Sequence, residues 1–215
     1  MTILITGTSS GIGRAAAELF LKKGHDVCGV DRAESTICHP GYRHIHADVR
    51  SMEAVELPDP EILIHSAGTL EETDAIDVNL TAVMRLTERL IASCTLRSVL
   101  FIASASARNG AEFPYYVVSK AGLVGYMKNL ALRLAAHGAT CNSVSPGGVI
   151  TPANRHILES ETLYAAVKAE TLLGKWAEPE EIAELAYFLT VTNRSITGED
   201  ILIDNGEMLK SNFIW

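Results

Sequence analysis

A tyrosine and a lysine four residues apart, Tyr116 and Lys120, are the side chains with the clearest chemical potential. Residues at i and i+4 share one face of a helix, so the phenol and the ammonium can point into one cleft. A free tyrosine has a pKa of about 10, and work as a base near neutrality requires lowering it by about 3 units, or about 4 kcal/mol. A positive charge ~4 Å away at an effective dielectric of ~20 supplies about that energy before desolvation opposes it. The pair is predicted to transfer a proton, although the same spacing also occurs on exposed helix faces.

A serine, Ser104, follows the apolar run at residues 99–102 and precedes Tyr116 by twelve residues. Open α/β sheets bind their ligands at the carboxyl ends of central strands. A hydroxyl group there can donate a hydrogen bond to a substrate carbonyl oxygen and stabilise developing negative charge. Ser104, Tyr116 and Lys120 are therefore predicted to act together on a hydroxyl or carbonyl oxygen.

A glycine-rich segment lies between the first predicted strand, residues 3–6, and the first predicted helix, residues 12–23. Gly7 permits a tight exit from the strand, and Gly11 lets backbone N–H groups approach a pyrophosphate. Gly13 lets the helix pack closely on the sheet, with its positive end facing the phosphates. A purely structural turn is the alternative. The pattern predicts a dinucleotide site formed by Gly7, Ser9, Ser10, Gly11, Ile12 and Gly13.

The second predicted strand ends in an acid, Asp31, followed by Arg32. A carboxylate at that point can accept hydrogen bonds from ribose hydroxyls and would repel a 2′-phosphate, which favours NAD over NADP. The guanidinium of Arg32 opposes this prediction because it can bind a phosphate. The residue before Gly11 is Ser10 rather than a basic residue, which again favours NAD. Alternatively, Asp31 is only a turn residue.

Short β-rich runs alternate with longer segments of helical period along the whole chain. This pattern predicts the α/β class: a doubly wound parallel sheet of Rossmann type, in a single domain spanning residues 1–215. The least regular stretches are residues 32–42, with room for little or no helix, and residues 151–175, predicted to form a mobile substrate flap. The predicted strands are residues 3–6, 26–31, 44–47, 62–66, 98–104, 140–145 and 200–203, and the predicted helices are residues 12–23, 77–92, 116–137 and 180–189.

Composition narrows the classes of function. The chain has 18 Lys and Arg against 26 Asp and Glu, a formal net charge of −8, which disfavours nucleic acid as a partner. The four cysteines are scattered without a CxxC motif, as is typical of a reducing compartment. The first residues already read as a strand, which leaves no room for a signal peptide, and no apolar stretch approaches membrane-spanning length. We therefore expect a cytoplasmic protein with no membrane partner.

Several histidines are assigned neither a metal nor a catalytic role. His44 and His46 share one face of a predicted strand, with Cys38 and His39 nearby, but no second cluster completes a ligand set. No metal site is therefore predicted. His65, at the end of the fourth predicted strand, is expected to be a hydrogen-bonding core histidine rather than a catalyst.

Taken in order, the motifs resemble those of the short-chain dehydrogenase/reductase family, in its compact single-domain branch. The resemblance spans essentially the whole chain. Its segments are Thr6–Gly13, Ala47-Asp48-Val49, His65-Ser66-Ala67-Gly68, Val78-Asn79-Leu80, the Ser104/Tyr116/Lys120 set, Pro146-Gly147-Gly148-Val149-Ile150-Thr151 and the closing Ile196–Gly206 stretch.

The resemblance implies roles for the matching residues. Tyr116 would be the general acid/base, Lys120 would lower its pKa and hold the nicotinamide ribose, and Ser104 would orient the substrate oxygen. Asn79 would hold a water that links Lys120 to solvent, and Asp48 would contact the adenine amino group. Further cofactor contacts are implied for Val49, Ala67, Gly68, Pro146, Gly147, Val149 and Thr151. A homodimer or homotetramer is also implied, with the helices at residues 79–92 and 116–137 in an interface.

The sequence departs from the family pattern in three places. His65-Ser66 replaces the usual Asn-Asn before Ala67-Gly68, so stabilisation of the central sheet must differ. The interval from Ser104 to Tyr116 is slightly short, which makes Ser106 a candidate substitute donor. The chain is also trimmed between Asp31 and Asn79, which puts in doubt the helix after the second strand and part of the cofactor wall.

Three functions remain in competition. The leading hypothesis is an NAD-dependent oxidoreductase that acts on an alcohol or ketone through Ser104, Tyr116 and Lys120. A cofactor-binding regulatory or scaffold protein with a vestigial site is the second, against which the complete set with Asn79 counts. A sugar-nucleotide epimerase or dehydratase is the third; the Gly7-xxx-Gly11-x-Gly13 spacing and the lack of a C-terminal substrate domain argue against it.

Overall fold

The computed structural model describes residues 1–93 and 95–209, which form one seven-stranded parallel sheet in the order β3-β2-β1-β4-β5-β6-β7. The predicted doubly wound α/β fold is confirmed, and all seven predicted strands are present. The strands are β1 Thr2–Thr6, β2 Asp26–Asp31, β3 Tyr42–His46, β4 Ile62–His65, β5 Ser98–Ile102, β6 Thr140–Pro146 and β7 Asp200–Ile203.

Helices cover both faces of the sheet. The α-helices are α1 Gly11–Lys22, α2 Ala82–Leu90, α3 Ser106–Asn109, α4 Pro114–Leu134, α5 Arg155–Leu158, α6 Glu161–Ala169 and α7 Pro179–Tyr187. A π-helical turn, Asp77–Thr81, leads into α2, and another, Phe188–Thr192, follows α7. Short 3-10 turns lie at Val49–Ser51, Ile91–Ser93, Ala135–His137 and Pro152–Asn154.

Alternation along the central strands divides the core into two layers. Ile3 and Ile5 of β1 face the layer that contains α1 and α7, whereas Leu4 faces the layer that contains α2 and α4. Strands β4 and β5 are buried along their whole length. Their continuous apolar runs are therefore explained by helices packed on both faces of a parallel sheet.

The connection from β2 to β3 contains no helix, as residues 32–42 predict. Strand β3 begins at Tyr42 rather than at the predicted residue 44, because Tyr42 pairs with Val27 of β2. The Tyr42 phenol lies over Gly29, where any side chain would collide with it, and hydrogen-bonds the Thr8 hydroxyl at 2.9 Å. Because Gly29 has no side chain, Tyr42 can pack against β2, and β3 begins two residues earlier than predicted.

The prediction that residues 151–175 are irregular is wrong, because most of this segment is helical. Pro152 begins a 3-10 turn, and helices α5 and α6 follow it. Helix α6 has a standard start: the Ser160 side chain accepts a hydrogen bond from the Leu163 backbone N–H at 3.3 Å, and Glu161 occupies the first turn.

In the described part of the chain, no helix is both long and apolar enough to cross a bilayer.

Candidate active site

A cavity of about 770 Å³ lies along the carboxyl edge of the sheet. Ser104 and every residue that the sequence assigns to cofactor binding contribute to its wall. These are Gly7, Ser9, Ser10, Gly11, Ile12, Gly13, Asp31, Arg32, Asp48, Val49, Ala67, Gly68, Tyr116, Lys120, Pro146, Gly147, Val149 and Thr151. The glycine loop and the Ser104/Tyr116/Lys120 set therefore open into one space.

The glycines of the loop allow close backbone contacts beside this cavity. Gly7 has φ +79°, and a Cβ atom there would lie 2.7 Å from the Ala67 backbone nitrogen. A Cβ atom at Gly13 would collide with the Gly7 carbonyl, so α1 packs directly on the end of β1. The start of α1 presents bare backbone to the cavity, and a helix N-terminus of this kind suits a pyrophosphate.

The carboxylate of Asp31 both braces the loop and faces the cavity. Its oxygens accept hydrogen bonds from the backbone N–H groups of Ser9 and Ala33, each at 2.9 Å. The bond to Ala33 is the turn role considered as the alternative, and the bond to Ser9 ties β2 to the glycine loop. Because Asp31 also lines the cavity, its position suits a ribose as well.

Asp48 caps the 3-10 turn after β3 and is held by Arg50. The Asp48 carboxylate accepts from the Arg50 backbone N–H at 2.9 Å and from its guanidinium at 2.7 Å. These hydrogen bonds and the positive charge lower the pKa of Asp48. An ionised acceptor therefore lines the cavity where the sequence places the adenine contact.

Ser104 and Ser106 form a directed hydroxyl chain. The Ser106 hydroxyl donates to the Ser104 oxygen at 2.8 Å, and the Ser106 backbone N–H donates to the same oxygen at 3.2 Å. With both bonds accepted, the Ser104 hydroxyl retains its own proton to donate. Ser106 therefore orients Ser104, and it is not the substitute donor suggested by the short interval.

Tyr116 lies near the start of α4, beside Ser104. Burial raises the pKa of Tyr116 to about 12; the Ser104 hydroxyl lowers it, and the negative charge of Glu112 raises it further. Desolvation of the phenolate thus has a larger effect on the pKa of Tyr116 than the Ser104 hydroxyl.

Lys120 lies one turn further along α4, with its Nζ atom 5.7 Å from the centre of the Tyr116 ring. The ammonium donates to the Ile102 backbone carbonyl at 2.8 Å. Burial lowers the pKa of Lys120 to about 8. Lys120 therefore lies within reach of the Tyr116 ring while it is anchored to β5, and its lowering of the Tyr116 pKa stays a prediction.

Asn79 lies in the π-helical turn before α2, buried behind the cavity wall rather than in it. Its Oδ1 atom accepts from the Thr69 backbone N–H at 2.8 Å, and its Nδ2 atom donates to the Thr69 carbonyl and the Ser119 hydroxyl. Ser119 in turn donates to the Tyr116 carbonyl at 2.7 Å. Asn79 therefore fixes the first turns of α4 and the loop after Gly68.

His65 stands where the family pattern has asparagine, and it stabilises the sheet through different contacts. It is 2 % exposed, stacks on Phe101 with ring centres 5.2 Å apart, and hydrogen-bonds Thr87 at 2.8 Å. Thr87 donates its only hydroxyl proton to the Val83 carbonyl, so the His65 Nε2–H must be the donor of their bond. Burial lowers the pKa of His65 to about 3. The predicted core role of His65 agrees with this geometry.

Several residues of the cavity wall lie outside the predicted set. Gly148 lacks a side chain because the Trp176 ring occupies that space, and Glu207 reaches the cavity from the segment after β7. The adjacent glycines after β6 are the sequence signal for a bulky side chain packed on the backbone. The remaining wall residues beyond the predicted set include Asn109, Glu112, Ile157, Val167 and Glu170.

The sequence and the fold are similar to those of known enzymes. Residues 60–207 match a family model described as enoyl-(acyl carrier protein) reductase, and residues 3–114 match a model for the NAD dependent epimerase/dehydratase family. Short chain dehydrogenase prhI of Penicillium brasilianum is 30 % identical, with 94 % of this chain and 95 % of that protein covered. The 3-oxoacyl-[acyl-carrier-protein] reductase FabG of Salmonella typhimurium is 29 % identical over the same shares of the two chains.

A solved structure of a 4-hydroxyisoleucine dehydrogenase mutant complexed with NADH and succinate superimposes with a TM-score of 0.88 at 27 % identity, covering 99 % of this chain and 100 % of that chain. Combined with the sheet order and the match over residues 60–207, these similarities assign the chain to the short-chain dehydrogenase/reductase family of oxidoreductases.

Proposed function

We propose that the protein is an NAD-dependent alcohol dehydrogenase or carbonyl reductase that uses Ser104, Tyr116 and Lys120. One observation carries the proposal: these three side chains line the same cavity as the glycine loop at the N-terminus of α1. A dinucleotide bound on that loop would extend along the sheet edge towards Tyr116. The family and the NADH-bound structural neighbour support a nicotinamide cofactor.

The chain's own residues supply positioning and proton transfer. Ser104, oriented by Ser106, donates a hydrogen bond to the substrate oxygen, where negative charge develops. Tyr116 exchanges a proton with that oxygen, a contribution of about 10²–10⁴-fold for a positioned acid or base. A nicotinamide ring, when bound, would accept or supply the hydride and, in its oxidised form, add a positive charge. Lys120 is proposed to bring the phenol pKa of Tyr116 down from the value set by burial.

Lys120 and Asn79 complete the set behind Tyr116. A side-chain atom at Gly68 would lie 3.3 Å from Asn79 Oδ1 and 3.5 Å from Lys120 Nζ, so both polar groups approach this backbone position. The water path from Lys120 to solvent through Asn79 stays a prediction. Lys120 is also proposed to hold the nicotinamide ribose.

NAD is the proposed cofactor, with NADP less suited. Asp31 ends β2 at the cavity, and its negative charge disfavours a 2′-phosphate. Arg32, which also lines the cavity, is the feature that opposes this preference.

The test of this function is turnover of a panel of secondary alcohols and ketones, followed by NADH absorbance. Tyr116→Phe is expected to retain NADH binding and to lose at least about 10²-fold in kcat. Tyr115→Phe is the matched control, because Tyr115 is 59 % exposed and lies outside the cavity wall. Undiminished turnover by Tyr116→Phe would contradict the mechanism.

A cofactor-binding scaffold with a vestigial site remains the alternative. It predicts tight NADH binding without oxidation of any alcohol in the panel. The hydrogen bond from Ser106 to Ser104, beside Tyr116, argues against it, since a site without chemistry has no need of an oriented donor. For the epimerase alternative, the match to that family model ends at residue 114, before Tyr116 and Lys120.

Three further features belong to this proposal. The chain is proposed to act as a single domain whose residues 151–175 cover the substrate, because Pro152, Ile157, Val167 and Glu170 line the cavity. It is proposed to be a homodimer or homotetramer. The cytoplasmic location stays a prediction, with which the free thiols of Cys28, Cys38 and Cys141 are consistent.

A further inference from the structure

An ion pair ties the segment after Ser104 to β7, the strand at one edge of the sheet. The Arg108 Nε atom donates to Asp200 Oδ2 at 2.8 Å, and the Arg108 Nη2 atom donates to the Asp200 backbone carbonyl. Arg108 lies on α3, two residues beyond Ser106, and Asp200 is the first residue of β7. The pair therefore anchors α3 to a strand that follows it 92 residues later in the chain.

The Asp200 carboxylate is the buried partner of this pair. Its side chain is 9 % exposed, against 37 % for that of Arg108. Its second oxygen, Oδ1, accepts hydrogen bonds from the Ser143 and Ser145 hydroxyl groups of β6, each at 2.7 Å. Charge-assisted hydrogen bonds to a buried carboxylate are stronger than an exposed ion pair, which gains little in water. Asp200 is therefore a fixed point on β6 and β7 to which the Arg108 side chain is bound.

The backbone on both sides of Ser104 is held by β6. The N–H groups of its two neighbours, Ala103 and Ala105, donate to carbonyl groups of β6, each at 2.8 Å. The Ser104 side chain keeps its own torsions, because a serine has three staggered rotamers and a hydroxyl group that rotates to suit its partners. The hydrogen bond from the Ser106 hydroxyl, at 2.8 Å, selects among these orientations. The position of α3, which carries Ser106, therefore decides where the Ser104 proton points.

Helix α3 is too short to hold its own position. It spans four residues and ends at Gly110, which has φ +73°. An isolated helix of this length is not stable in water, so contacts with the rest of the protein must fix it. Two side chains of α3 reach the region of β7: Arg108 through the ion pair, and Asn109 through a hydrogen bond from Nδ2 to the Met208 sulfur at 3.2 Å. The ion pair is the stronger of these two contacts.

We propose that Asp200, acting through Arg108, is a positioning residue for the hydroxyl group that donates to the substrate oxygen. The ion pair fixes α3, and α3 lets Ser106 hold the Ser104 hydroxyl in its donating orientation. This inference rests on the proposed function, because the orientation of the donor matters only if a substrate oxygen binds beside Tyr116. Arg108 and Asp200 lie outside the cavity wall, so they touch neither substrate nor cofactor. Loss of the pair therefore slows the chemical step and leaves cofactor binding unchanged.

The experiment is a double-mutant cycle between Arg108 and Ser106, measured as kcat on the best alcohol of the panel. Arg108→Ala should lower kcat by about three- to fivefold and leave the NADH dissociation constant unchanged. In the Ser106→Ala background, the same substitution should change kcat by less than about twofold, because the hydroxyl group through which Arg108 acts is missing. Arg108→Lys restores the charge and should recover part of the rate.

Asp200→Asn tests the other partner of the pair. It keeps an oxygen that can accept from the β6 hydroxyl groups and loses the charge that holds Arg108. It should lower kcat as much as Arg108→Ala does, and the variant with both substitutions should be no slower than either one. Arg97→Ala is the matched control, because it removes an arginine from its pair with Glu61 just before β5, at the opposite edge of the sheet. This control should leave kcat unchanged.

Hydrogen exchange reports the anchoring of α3 without turnover. The backbone N–H groups of residues 107–110 bond to carbonyl groups within and just before α3, so they exchange when this helix opens. Arg108→Ala should raise their exchange rates by at least about fivefold, whereas Arg97→Ala should leave them as in the wild type.

A kcat of Arg108→Ala equal to that of the wild type would overturn the inference, and so would the same fold-loss in the Ser106→Ala background as in the wild type. A loss confined to NADH affinity would also overturn it. In each of these cases turnover by the wild type leaves the proposed function intact. If the wild type oxidises no alcohol of the panel, the proposed function fails, and hydrogen exchange then judges the inference: faster exchange in Arg108→Ala supports it, and unchanged exchange overturns it.

Discussion

At the scale of single residues, the direction of hydrogen bonds in the Ser104–Ser106 pair determines which oxygen can donate to a substrate. The Ser106 hydroxyl donates to the Ser104 oxygen, so the Ser104 proton is available to an oxygen of the site, either the Tyr116 phenol or a substrate. Neither residue type nor spacing reveals this, because a serine hydroxyl can both donate and accept. The sequence therefore predicts Ser104 as the donor and offers Ser106 only as a candidate substitute, whereas the bond by which Ser106 orients Ser104 is visible only in the structure.

Ser106→Ala tests this positioning role. Loss of a net hydrogen bond of about 1 kcal/mol should lower kcat about fivefold, whereas Ser104→Ala should lower it by about 10²-fold or more. NADH affinity should stay the same in both. Ser106→Thr restores the hydroxyl and should recover most of the rate, measured as kcat on the best alcohol of the panel. A Ser106→Ala rate equal to that of the wild type, or as low as that of Ser104→Ala, would show that the orientation argument is incorrect.

Asp31 allows a second test at this scale, on cofactor choice. Asp31→Asn keeps an oxygen that can accept from Ser9 while it removes the charge that repels a 2′-phosphate. NADPH should then bind about tenfold more tightly than it does to the wild type, and NADH somewhat more weakly. Fluorescence titration of both cofactors measures this. Arg32→Ala is the complementary variant, expected to weaken NADPH. A wild-type protein that already prefers NADPH would show that Arg32 outweighs Asp31.

At the scale of elements, the sequence predicts the strands more reliably than the connections between them. The buried runs of β1, β4 and β5 are apolar because helices cover both faces, and this pattern is visible in the sequence. The start of β3 depends on contact between Tyr42 and Gly29, which lie thirteen positions apart in the chain and on neighbouring strands. Such a contact has no local signature. Helix α6, within residues 151–175, does have a local signature, Ser160 followed by Glu161 in the first turn.

The hydrogen bond between His65 of β4 and Thr87 of α2 holds a buried histidine that makes the stability of the fold depend on pH. Because burial holds the pKa of His65 at about 3, the unfolded chain takes up a proton on this residue below its usual pKa of 6.5 while the folded chain does not. The contribution of neutral His65 to the free energy of unfolding is therefore complete above pH 6.5. It is lost as the pH falls towards 3, by up to about 1.4 kcal/mol per pH unit.

Urea unfolding at a series of pH values between 7 and 4 measures this slope. His65→Asn removes the titrating group and should flatten the dependence, even if the variant is less stable at pH 7. His137→Asn changes an exposed histidine in the turn after α4 and should keep the wild-type slope. An unchanged slope in His65→Asn would assign the acid sensitivity to other groups.

At the scale of the whole molecule, the candidate site has two kinds of residue. Some are placed by the parallel order of the strands, and others are placed by long-range packing. The carboxyl ends of β1, β2, β5 and β6 meet at one edge, so the cofactor set and Ser104 are predictable from their positions after strands. Trp176, Glu170 and Glu207 reach the same cavity from later segments whose course is set by tertiary contacts. The reaction class is therefore easier to predict from sequence than the substrate.

The outer side of α4 carries exposed apolar side chains that lie outside the cavity. Helix α4 buries Leu123, Met127 and Leu130 against the sheet, while Val118 and Leu132 on its outer side are 57 % and 79 % exposed. Apolar side chains spaced along one outward helix face are costly to hydrate and favour association. In the predicted homodimer or homotetramer, the interface expected at α2 and α4 would bury this face.

Leu132→Glu tests the assembly without disturbing the protomer, because the side chain is exposed on α4. In a two-fold interface the substitution places a carboxylate on each subunit in an apolar contact, so we expect the dissociation constant to rise by at least about 10²-fold. Leu163→Glu introduces the same charge on exposed α6 and should leave the assembly unchanged. Sedimentation velocity gives the mass of each. A wild-type protein that sediments as a monomer, or a Leu132→Glu variant that keeps the full oligomeric mass, would exclude this face of α4 as the interface and leave its exposed leucine and valine without a partner of the same chain.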